Sequence, residues 1–105
     1  MQLKHGIEIK DQAVIDNFER LQNLIFKLLP SREEGKDWET PLSNLFLEVG
    51  GLASLLDNQI SLLVLLSKME ALTSLTNDDD FFVYRKLIFE CLSELTRLKK
   101  NVYEL

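Results

Sequence analysis

Residues 60–66 read Ile60-Ser61-Leu62-Leu63-Val64-Leu65-Leu66. At about 100° per residue, Leu62 to Leu66 point around the whole circumference of a helix. A helix that is apolar on every side is normally buried on every side. The stretch therefore predicts that other helices, or a second copy of the chain, pack around it. It lies within a longer apolar segment, Leu42 to Leu75, that would form the centre of the fold.

Upstream of the stretch, Thr40-Pro41 reads as a helix start, with Thr40 as N-cap and Pro41 at the first helical position. Leu42, Leu45, Phe46 and Val49 then form an apolar stripe. Gly50-Gly51 leaves two readings. In the favoured one a single helix spans residues 41–75, about 50 Å long and bent at the glycines; in the other the chain breaks there.

Downstream, Thr76-Asn77-Asp78-Asp79-Asp80 closes this helix and opens the last, residues 78–104. Asn77 or Asp78 can cap it, and acidic residues suit the positive end of the helix dipole. Phe81, Ile88, Leu95 and Val102 recur every seven residues, as do Tyr84, Cys91, Leu98 and Leu105 three positions on. This is an apolar heptad seam. Phe82 and Phe89 lie off it.

The first helix covers residues 11–29, with Asp11 as N-cap. Val14, Phe18, Leu21, Ile25 and Leu28 line one face, and Pro30 is expected to end it because the residue before proline is pushed out of helical geometry. Residues 30–40 form a polar loop whose single large apolar side chain, Trp38, is expected to fold down over the bundle end, the alternative being a partner-facing tryptophan. Residues 1–10 form an N-terminal arm. Its Ile7-Glu8-Ile9-Lys10 alternates like a short strand, either tucked on the helices or paired with a symmetry mate.

A chain of 105 residues fits one domain, residues 1–105. With 46% apolar residues, few Gly and Pro, much Leu and little Val, its composition is that of a folded all-α protein. The expectation is an antiparallel three-helix bundle, or four helices if the chain breaks at Gly50-Gly51, dimerising through helix faces. Leu21, Leu63, Ile88 and Leu95 are expected to share its core.

The net charge of −5 and pI near 4.8 disfavour broad binding to nucleic acid or anionic membrane. One cysteine allows no intrachain disulfide, and neither a signal peptide nor a bilayer-spanning run is evident, so the cytoplasm is the expected compartment.

No catalytic constellation is legible. His5 is the single histidine and lies in the arm, which excludes histidine triads and multi-histidine metal sites on a rigid scaffold. Cys91 sits on the heptad seam, where a thiol is inert. Asp78-Asp79-Asp80 lacks the alternating ligands and central glycine of a calcium loop, and Gly50-Gly51 lacks the Lys-Ser or Lys-Thr of a phosphate loop. No cofactor, metal or small-molecule substrate is implied.

Arg85, Lys86, Arg97, Lys99 and Lys100 of the last helix do not read as one stripe, since Glu90 and Glu104 lie near Lys86 and Arg97. The expected function is therefore a non-enzymatic protein–protein interaction module, an adaptor, regulator or assembly subunit. It would bind itself or another protein through Leu62, Leu65, Met69, Phe82, Phe89 and Trp38. A nucleic-acid-associated protein using the last helix and a carboxylate-only enzyme are the alternatives.

Overall fold

The last helix turns its heptad seam inward. In a computed structural model, which describes residues 11–56 and 60–104, Tyr84, Ile88, Cys91, Leu95 and Leu98 are all fully buried. The elements are α1 (Asp11–Phe26), α2 (Leu28–Glu33), α3 (Glu39–Leu55), α4 (Ile60–Thr73) and α5 (Phe81–Glu104), with a 3-10 turn at Asp78–Asp80. Every regular element among the described residues is helical. The strand-like arm and its pairing lie outside them.

Among the described residues four long helices pack together, where the sequence favours three. α5 lies between α1 and α4, and α3 packs on α4. The result is an elongated bundle of 45 × 19 × 18 Å. The middle position thus belongs to α5 and not to the helix through Leu62–Leu66. The reason lies in the patterns. An α5 with one narrow apolar seam has a defined inward face, whereas an α4 that is apolar all round packs one side and leaves the other bare.

Pro30 does not end the first helix. It removes the hydrogen bond to the carbonyl four residues back, that of Phe26, and its ring crowds that group. The interruption therefore falls one turn upstream, at Lys27, whose backbone stays near helical values (φ −65°, ψ −16°). The Lys27 N–H still donates to the Asn23 carbonyl at 3.1 Å. The chain then continues as α2, with Pro30 in its first turn, where an N–H has no intrahelical partner.

The long central helix is broken, but not at the glycines. Gly50 and Gly51 lie inside α3, and the chain leaves the helix at Leu56 (φ −88°, ψ 140°). The sequence there continues Asp57-Asn58-Gln59, and Asp and Asn favour turns through hydrogen bonds to their own backbone. A Cβ added at Gly50 would lie 4.0 Å from Leu66 Cδ2, so α4 folds back alongside α3 as a helical hairpin.

The start of α3 also differs from expectation. Asp37, not Thr40, supplies the capping oxygen: its Oδ1 accepts from the Glu39 and Thr40 backbone N–H groups, both at 3.1 Å. Hydrogen bonding from Thr40, through its side chain and backbone, holds the Asp37 carboxyl below the usual carboxylate range. At the other junction Asn77 N–H donates to Asp80 Oδ2 at 3.3 Å and Asp80 N–H to the Asn77 carbonyl at 3.0 Å. This reciprocal pair leads the chain into α5.

The core combines Phe18, Leu21 and Ile25 of α1, Leu42, Leu45 and Val49 of α3, Leu62, Leu65, Met69 and Leu72 of α4 and the α5 seam. Leu63 is not part of it. It is 61% exposed, and the inward face of α4 is the one holding Leu62 and Leu65.

Candidate interaction surface

Leu62, Leu65 and Met69, expected at an interface, belong to the intramolecular core, and so does Trp38, which takes the bundle-end position and not the partner-facing one. The first three are the residues α4 turns toward α5 and α3. Trp38 closes one end of the bundle. Its ring meets Tyr84 edge-on at 5.0 Å, and Tyr84 stacks on Phe81 at 6.2 Å. Phe82 and Phe89 are exposed.

Arg32 completes the Trp38–Tyr84 end. Its Cζ sits 4.5 Å from the Trp38 ring centre and 4.4 Å from that of Tyr84. Nη1 donates to the Leu75 carbonyl at 2.5 Å and Nη2 to the Asn77 carbonyl at 2.8 Å. One guanidinium thus ties α2 to the connection between α4 and α5. Nothing in the spacing of Arg32 announces this, because its partners are backbone carbonyls more than 40 residues away.

The outer side of the α3–α4 hairpin has a different character. Of the chain's 29 charged residues, only Glu48, Asp57, Lys68 and Glu70 fall between Thr40 and Leu75. A third of the chain thus carries about a seventh of its charge. Glu48 pairs with Arg20 of α1 and Lys68 with Glu90 of α5 at 3.6 Å, so both are spent at the flanks of the hairpin. What α3 exposes includes Ser43, Asn44, Leu47, Gly51, Ser54 and Leu55, and what α4 exposes includes Ile60, Leu63, Val64, Ser67 and Ala71. Leu47 is 72% exposed and Ile60 76%. By contrast α1 and α5 alternate charge outside and apolar residues inside, as surface helices do.

The signal for this face was present in the all-round apolar run at Leu62–Leu66. The sequence identified a surplus apolar face but assigned the wrong half of the helix to it. With Leu62 to Leu66 apolar all round, the run does not itself say which side faces inward, and packing against α5 and α3 selects Leu62, Leu65 and Met69.

Two hollows accompany this surface. A groove of about 530 Å³ opens between α1–α2 and α3, over Leu24, Leu28 and Leu45. Its rim mixes Lys27 with Asp37 and Glu48 and favours neither sign of ligand charge. A polar hollow of about 330 Å³ lies beside Arg32, Gly35, Asp37 and Thr76. Among the described residues no helix is long and apolar enough to cross a membrane. Comparison with protein-family models, curated proteins and solved structures gave no match to this chain.

Proposed function

We propose that the protein is a non-enzymatic, cytoplasmic protein–protein interaction module that pairs with a second copy of itself through the outer face of α3 and α4. The observation that carries this reading is the charge-poor, partly apolar exterior of that hairpin. Exposed apolar patches of this kind in soluble proteins mark contact surfaces.

Charge favours a second copy as the occupant. A two-fold interface sets one surface patch against the same patch of the partner. In a chain of net charge −5 most faces would then meet their own negative charge. Among the described residues after the first turn of α3, the exposed α3–α4 face brings only Glu70 with it. Helices of 17 and 14 residues side by side offer a face roughly 20 Å square, about 800 Å² over both partners, which is the size of a weak and transient contact. That size suits a reversible dimer.

The test is molar mass by light scattering over a dilution series, for the parent and for Leu47→Glu and Leu63→Glu. Both positions are exposed, so neither change disturbs the core. The parent is expected to dimerise at high micromolar concentration and both variants to stay monomeric. A parent monomeric throughout overturns the reading, and a dimer indifferent to both substitutions moves the contact to another face.

A further inference from the structure

The exterior of α5 has the opposite sign to the molecule as a whole. Between Phe82 and Asn101 its solvent-exposed residues include four cations, Arg85, Lys86, Arg97 and Lys100, and no carboxylate. Both acidic residues of that span are drawn out of the exposed face. Glu90 reaches Lys68 of α4 at 3.6 Å, and Glu94 is buried against Arg97 at 3.0 Å. The cancellation by Glu90 expected from sequence is therefore weaker than its spacing implies, because α4 takes that carboxylate sideways. Arg85 and Lys86 have no ion-pair partner among the described residues; Arg85 lies over the Phe89 ring instead, 5.6 Å from its centre.

Two phenylalanines run along the same face. Phe82 is 78% exposed and Phe89 43%. They stand seven residues apart, so they line up along the helix about 10.5 Å from each other. That is the repeat with which one helix packs along another.

From these observations we infer that the outer face of α5 is a docking surface for an acidic amphipathic helix of another protein. Apolar residues of the incoming helix at i and i+7 cover Phe82 and Phe89, and its flanking carboxylates meet Arg85 and Lys86. The surface is separate from the α3–α4 face and does not depend on pairing there. A nucleic acid fits less well. Removing the four cations from a net charge of −5 leaves −9 on the rest of the molecule, which a long polyanion meets and a short helix does not.

The test is fluorescence anisotropy with three labelled probes. They are a three-heptad helical peptide with leucines seven apart flanked by glutamates, a single-stranded oligothymidylate, and vesicles containing phosphatidylserine. The peptide is expected to bind with a micromolar Kd. Arg85→Glu with Lys86→Glu should weaken it by at least about tenfold, and so should Phe82→Ser with Phe89→Ser. The charge-reversed variant should in turn bind a peptide carrying lysines in place of the glutamates, a rescue that loss of folding does not produce. A peptide that fails to bind or binds all variants alike overturns the inference, as does equal or tighter binding of the oligonucleotide or vesicles.

Discussion

Arg32 makes more distinct contacts than its place in a polar loop suggests. It combines two charge-assisted hydrogen bonds to carbonyls with stacking between Trp38 and Tyr84. Such bonds contribute about 1.5–3 kcal/mol, and the planar fork that makes two at once is not reproduced by an ammonium group. Arg32→Ala is expected to destabilise by roughly 2–3 kcal/mol, and Arg32→Lys by most of that amount, measured by urea denaturation. A lysine variant as stable as the parent would reduce the residue to a point charge. Cys91 and Tyr84 carry a second prediction. Burial pushes both the Cys91 thiol and the Tyr84 hydroxyl up to about 12, from ordinary values of 9.0 and 10.0. Above pH 9 the unfolded chain therefore releases protons that the folded chain keeps. Stability is full below the unfolded values and falls as pH rises toward 12, by an amount on the order of a few kcal/mol. Urea midpoints from pH 7 to 11 should decline, and Cys91→Ala should flatten that decline while lowering the starting value. The buried thiol should also react slowly with a thiol reagent until the chain unfolds.

Among the elements, α5 and α1 were legible because a single narrow apolar stripe fixes both the helix and its inward face. The two interruptions were not. Pro30 acts through the carbonyl of Phe26, so the kink appears at Lys27, upstream of the residue that causes it. The chain leaves the helix at Leu56, where the glycine pair had drawn attention instead. Thr40-Pro41 pointed to the right helix but the wrong cap, since the helix starts at Glu39 and Asp37 accepts from the Glu39 and Thr40 N–H groups. If the glycines mark neither a break nor a close contact, they weaken α3. A Cβ at Gly51 would meet nothing within 4 Å, and one at Gly50 only Leu66 at 4.0 Å. Gly51→Ala should raise stability by about 0.5–1 kcal/mol, and Gly50→Ala by a similar amount. Gly35 is the reverse case, because its φ of 72° lies where a side chain is strained. Gly35→Ala should cost about 1–2 kcal/mol. A loss of stability in Gly51→Ala would mean that α3 needs a flexible point there.

For the molecule as a whole, the uneven distribution of charge separates two kinds of surface by the physics of contact they allow. The α3–α4 face has few charges, so association through it must draw on apolar burial, which salt does not screen. The α5 face has cations and aromatics together, and binding there must weaken as salt rises. Self-association should therefore change by less than about threefold in Kd between 0.05 and 0.5 M NaCl, and its enthalpy should fall with temperature, the negative heat-capacity change of apolar burial. Over the same range the acidic peptide at α5 should lose at least about tenfold in affinity. Sedimentation equilibrium for the first and anisotropy for the second measure both on one preparation. A self-association that tightens several-fold with salt would show that like charges face each other across the contact, and one that weakens several-fold would show that opposite charges hold it. Either result would take the contact away from Leu47 and Leu63 and place it on the charged helices α1 and α5.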